Sequence, residues 1–121
     1  MNEIEKKQLH GVEIFDFVGK DYKKAMSFEN WRVAYLNYGD EFNLTLPRLE
    51  RHMETDEVFV LLTGSATLII GEELHKVIMK PFKIYNVPKA VWHHIQVDVD
   101  TRVLIIENED TSKANTEYIY F

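Results

Sequence analysis

Two short stretches carry the residue types and spacings best suited to chemistry. In the first, Glu50-Arg51-His52-Met53-Glu54-Thr55-Asp56-Glu57, a histidine precedes a carboxylate that opens the apolar run Val58-Phe59-Val60-Leu61-Leu62. Glu50 and His52 are two residues apart, so an extended backbone projects both from one face, where they can grip one ion. In the second, Pro88-Lys89-Ala90-Val91-Trp92-His93-His94-Ile95, a proline-initiated turn delivers a histidine to the start of a strand. Imidazole and carboxylate together bind first-row divalent ions, and they also satisfy one another as a buried hydrogen-bonded network without metal. Both readings stand for His52, Glu57 and His93, while Glu50 is either a further ligand or a solvated strand-end carboxylate beside His52. Arg48 shares the alternation of Glu50 and His52. Facing inward it would clamp a carboxylate bidentately; the rival reading puts it on a loop after Pro47. His94 alternates away from His93 and reads as surface or interface, and His10 and His75 read as exposed.

The elements that must position these groups read as strands. Turn residues punctuate the chain every ~8–12 residues, the spacing of an all-β sandwich or barrel. Candidate strands are 12–17, 31–38, 41–46, 57–62, 66–70, 74–79, 83–87, 93–97 and 102–107, with Thr63-Gly64-Ser65 and Gly71-Glu72-Glu73 as the clearest turns of a meander. Residues 2–9, rich in Glu, Lys and Gln and followed by Gly11, and residues 20–26 are expected as helix. Alternation from Glu57 and His93 makes Phe59, Leu61, Ile95 and Val97 candidate cavity-lining residues, with Trp31, Tyr35 and Trp92 candidates for its rim. That mostly apolar lining suits a small organic ligand better than a nucleoside triphosphate.

Composition narrows the function classes. The 121 residues fit one domain, and 45% hydrophobic content is enough to offset the entropy of ordering it. With no cysteine, thiolate metal sites, thiol nucleophiles and redox pairs are excluded, so any metal must use N and O ligands. A net charge of −6 with scattered basic residues argues against a nucleic-acid partner. The charged start from Met1 to Lys7 is not a secretory signal, and no apolar run approaches the ~20 residues of a membrane span, so a cytoplasmic protein is expected. In that setting the Asn43-Leu44-Thr45 sequon carries no meaning. No G-x-S-x-G elbow, phosphate-binding glycine loop or H-E-x-x-H motif is present. Apolar residues in both phases of the runs from Val58 and Leu68 call for cover on both faces, and a homodimer is the expected source.

His52-x4-Glu57-x6-Gly64 matches the end of the first motif of the cupin superfamily, and Pro88-x-Ala90-x2-His93 matches the middle of the second. Over residues 39–108 the chain therefore resembles a cupin. Five motif positions depart from the pattern: Leu44, Phe82 and Ala90 stand where glycines are usual, Glu50 replaces the first motif histidine, and Val97 replaces the final asparagine. The resemblance implies an all-β, jelly-roll cupin barrel over 31–121, with 1–30 as an N-terminal segment packing on the barrel or on a dimer partner. It also implies a divalent metal (Fe, Mn, Ni or Zn) on His52, Glu57 and His93, with Glu50 at the fourth ligand position. The implied activity is oxygenation, isomerisation or lyase chemistry on a small oxygen-rich metabolite, carboxylate or sugar-like. The alternatives are a metal-free binding or sensing module, or a metal-free lyase- or epimerase-like enzyme in which a histidine and an acid shuttle a proton.

Overall fold

A computed structural model describes residues 2–43 and 45–121. The strands are β1 (Glu5–Leu9), β2 (Val12–Asp16), β3 (Asp21–Phe28), β4 (Trp31–Asn37), β5 (Arg48–His52), β6 (Glu57–Thr63), β7 (Ala66–Ile70), β8 (His75–Ile78), β9 (Tyr85–Val87), β10 (His93–Val97), β11 (Arg102–Asn108) and β12 (Thr116–Tyr120). One 3-10 turn, Lys113–Asn115, interrupts them, and no α-helix occurs among the described residues.

Eight of the nine candidate strands contain a strand; the exception, 41–46, forms none over its described residues, and Leu44 lies outside them. Both expected helices are strands. Residues 5–9 pair with β2 from Leu9↔Val12 to Glu5↔Asp16, around a two-residue loop in which His10 (φ 52°) and Gly11 (φ 84°) are both left-handed. Gly11, read as a helix stop, is thus the second residue of a hairpin turn that needs positive φ at both positions. Residues 21–28 pair with β4 along its whole length, with one bulge between Lys24 and Met26. Helix propensity is worth only tenths of a kcal/mol per residue, and cross-strand pairing overrides it.

Two five-stranded antiparallel sheets pack face to face, in the orders β12-β5-β10-β7-β8 and β3-β4-β11-β6-β9. Inward residues of both fill the space between them: Ala66, Leu68, Ile95 and Val97 from the first, and Ala34, Leu36, Phe59, Leu61, Val103 and Ile105 from the second. β3 is an edge of the second sheet, so the barrel draws on the segment before Trp31, whereas β1 and β2 form a separate hairpin. Arg102 ties that hairpin down through bonds of 2.6 Å to Asp16 Oδ1 and to the Phe17 carbonyl.

The turns that aim the site keep a glycine-like geometry even where glycine is absent. Phe82 (φ 68°) and Ala90 (φ 66°) are left-handed at two of the replaced motif glycines. The Ala90 N–H donates to the His52 carbonyl at 2.7 Å, which pins the β10 approach to the end of β5. Gly64 (φ 84°) is retained where a Cβ would collide with Thr101.

Candidate functional site

At one end of the space between the sheets the apolar core gives way to a cavity of about 370 Å³. β5 carries Arg48, Glu50 and His52 on alternate positions into it, and the pairings Tyr118↔Glu50 and Thr116↔His52 bring β12 alongside. His93 stands opposite Glu50 in the β5–β10 register. From the facing sheet come Glu57 and Phe59 on β6, Glu107 on β11, Arg32 on β4 and Tyr22 on β3.

Glu57 is the hub. Its Oε1 lies 2.9 Å from His52 Nε2 and 2.9 Å from His93 Nε2, with all three side chains buried. The outer ring nitrogens are also engaged: His52 Nδ1 lies 2.9 Å from Thr116 Oγ1, and His93 Nδ1–H donates to the Val91 carbonyl at 2.9 Å. A carbonyl only accepts, so His93 Nδ1 carries a proton, and Nε2 offers either a second proton to Glu57 or a lone pair to an ion. Burial opposes charge on both rings, but the hydrogen bonds to Glu57 outweigh it and hold both histidines above their ordinary pKa. Burial likewise pushes the Glu57 carboxyl up, yet the bonds from His52 and His93 prevail and keep it well below the usual carboxylate range. Burial, together with the Glu57 charge, raises Glu50.

These residues fit a divalent ion. Ligands about 2.1 Å from a metal and at right angles stand roughly 3 Å apart, close to the separations around Glu57 Oε1. Ligand atoms of Glu50, His52 and His93 lie within 4.8 Å of one another, as do those of His52, Glu57 and Glu107. The Thr116 and Val91 contacts orient the two imidazoles as outer partners of metal-bound histidines do.

Glu107 was not foreseen. Its Oε2 accepts from Tyr22 Oη (2.8 Å), Arg32 Nε (3.2 Å) and Arg32 Nη2 (3.0 Å). Arg32 also donates to the Glu109 carbonyl (3.2 Å) and the Thr111 carbonyl (3.1 Å), fixing the loop that covers this side of the cavity. Burial and the Glu57 charge still raise the Glu107 carboxyl despite its three donors. The signal was local: Val103 and Ile105 alternate inward, and Glu107 continues their phase. Tyr22 lay hidden in the expected helix.

Other expected positions are revised. Arg48 is the first residue of β5 and a wall of the cavity, not a loop residue. His94 faces away from His93 as alternation requires, but it is 5% exposed and stacks on Phe42 rather than sitting at the surface. Burial and the Arg48 charge push its imidazole down to about 4. Phe59 and Ile95 line the cavity; Leu61 and Val97 lie in the apolar core instead. None of the three rim aromatics lines it: Trp31 is exposed, Tyr35 Oη bonds the Phe15 carbonyl, and Trp92 stacks under Arg51 at 4.4 Å. His10 and His75 are exposed.

No protein-family model and no curated protein sequence matches the chain. Solved structures do. The polyketide cyclase RemF from Streptomyces resistomycificus aligns over 98% of this chain and 82% of its own, with a TM-score of 0.67 and 11% identity. Pac13, described as a nucleoside dehydratase, covers 98% of this chain and 87% of its own at a TM-score of 0.64 and 10% identity. A cupin-2 domain protein from Shewanella frigidimarina covers 77% and 85% respectively, at a TM-score of 0.62 and 18% identity. The two packed antiparallel sheets, the histidine–glutamate centre at one end and these likenesses define a cupin fold. The chain is a cupin-fold protein, as its motif fragments implied.

Proposed function

We propose that the cavity holds a divalent metal on His52, His93, Glu57 and Glu50 and acts on a small oxygen-rich metabolite. The observation that carries this reading is the convergence of both Nε2 atoms on Glu57 Oε1 at 2.9 Å while both Nδ1 atoms are engaged from behind. An ion there would supply Lewis acidity toward a substrate oxygen. Around it the chain's own residues set the chemistry. Thr116 and the Val91 carbonyl orient the imidazoles, Glu50 adds a second carboxylate, and Phe59 and Ile95 exclude water from one side of the bound molecule.

Elemental analysis of untagged protein purified without chelator tests the reading. Near-stoichiometric Fe, Mn, Ni or Zn, lost in His52→Ala and reduced in Glu50→Gln, is the expected result. Absence of metal after reconstitution with each ion would overturn it.

One observation favours a second, metal-free reading. His93 faces an acceptor at each ring nitrogen, so as an imidazolium it is fully hydrogen-bonded without an ion. Such an imidazolium–carboxylate pair can hold and deliver a proton, which suits elimination or epimerisation. Similarity to a protein described as a nucleoside dehydratase is consistent with that chemistry. A pH–rate profile governed by one histidine-like group in metal-free protein would support it, and a flat profile would count against it.

A further inference from the structure

The chain has four arginines, and three are matched to carboxylates: Arg32 to Glu107 at 3.0 Å, Arg51 to Glu117, and Arg102 to Asp16 at 2.6 Å. Arg48 is the exception. No carboxylate lies within ion-pairing distance of it among the described residues, although it lines the cavity and is half-buried there. Its guanidinium sits 4.7 Å over the ring of Tyr118, which also lines the cavity. Cation–π attraction holds the guanidinium over the ring, and its N–H donors have the geometry that matches a carboxylate. The nearby Glu50 carboxyl feels the Arg48 charge without forming an ion pair with it among the described residues, so a ligand carboxylate would give the half-buried cation the direct partner it lacks.

We infer that Arg48, stacked on Tyr118, is an anion anchor that binds the carboxylate group of the substrate and sets its orientation toward the His52–Glu57–His93 centre. The orientation follows from the strand. Arg48 and His52 share one face of β5 four residues apart, and at about 3.3 Å per residue their backbones are roughly 13 Å apart. A small molecule can therefore touch both ends of the cavity. Lys113 lines the same cavity and is the other lining cation with no carboxylate partner among the described residues, which adds to the attraction at long range. Carboxylate is favoured over phosphate because Glu41, Glu50, Glu57 and Glu107 also line the cavity, and a dianion would meet more repulsion than a monoanion.

This inference rests on the proposed function only for the position of the reacting end, so the two can fail separately. The experiment measures thermal shift and calorimetric binding of pyruvate, malonate, benzoate and 2-oxoglutarate, with pyruvamide and inorganic phosphate as matched controls. Wild type is compared with Arg48→Gln, Arg48→Lys, Tyr118→Leu and His52→Ala. At least one carboxylate is expected to bind wild type, with affinity falling roughly 10- to 100-fold in Arg48→Gln and less in Arg48→Lys. Metal content should be unchanged in both Arg48 variants. His52→Ala should lose metal yet keep carboxylate binding in metal-free buffer, which separates failure of the metal site from failure of the anchor. Equal carboxylate affinity in wild type and Arg48→Gln, binding of none of the four acids, or phosphate binding as tight as carboxylate would each overturn the inference. Should Arg48→Gln unfold, Tyr118→Leu decides it: the anchor requires weaker carboxylate binding there, and unchanged binding overturns it.

Discussion

The two walls of the cavity treat their arginines differently. On the β4–β11 wall, Arg32, Glu107 and Tyr22 saturate one another, and Arg32 spends its remaining donors on loop carbonyls. On the β5–β10 wall, Arg48 forms no ion pair among the described residues and lies over Tyr118, and Ala90 holds a left-handed backbone. A buried polar network whose members satisfy each other rigidifies the fold, while unmatched groups beside a cavity are where a ligand gains most. The difference assigns support to one wall and binding to the other.

The sharpest way to break that contrast is to open the closed wall. Arg32→Ala leaves the buried Glu107 carboxylate without its cation and with Tyr22 as its remaining donor, and removing one partner of such a buried pair costs about 3–5 kcal/mol. Urea denaturation should show a loss of that order, and a loss below about 1 kcal/mol would mean that the wall is not supported as described. Next comes His94, on the far side of β10 from the cavity, whose Nε2 has no hydrogen-bond partner among the described residues. Its folded pKa of about 4 lies below the ordinary value of 6.5, so the unfolded chain takes up a proton that the folded chain resists. Stability from this group is therefore intact above pH ~6.5 and is lost as pH falls toward ~4, by at most about 3 kcal/mol. His94→Gln should flatten the pH dependence of the denaturation midpoint over that window; an unchanged slope would remove His94 from the account.

Smaller effects test strain and exposure. Ala90→Gly should stabilise the protein by about 1 kcal/mol, since a left-handed backbone penalises a Cβ. No gain in melting temperature would show that the turn is relaxed. The Arg51–Glu117 pair, on the outer face of β5 and much more exposed than Arg32–Glu107, serves as the control. Glu117→Gln should change stability by less than about 1 kcal/mol and vanish in high salt. A value rivalling Arg32→Ala would erase the distinction between buried and exposed pairs.

Legibility followed the range of the interactions. His52, Glu57 and His93 could be read because motif spacing and strand alternation are local, and β7 and β10 have the boundaries that alternation gave them. Residues 5–9 and 21–28 could not, because their composition favours helix while their partners across the sheet favour strand. The rim aromatics failed for a related reason: alternation tells which face a residue takes, not which neighbour will cover it. Trp92 is occupied by Arg51 and Tyr35 by the hairpin, neither of which is visible in local pattern.

By itself, then, the order of residues determined the β-rich architecture, the turns and the inward phase of the histidine–glutamate centre, since strand periodicity is a property of adjacent residues. Tertiary structure decided which strands became neighbours. The pairing of β11 with β4 and β6 brings Glu107 onto Arg32, 75 residues away, and close to Glu57. The same folding placed Arg48 over Tyr118, with no ion pair among the described residues. Those partnerships depend on register between distant segments, and a local sequence pattern carries the face of each strand but not the identity of the strand it meets.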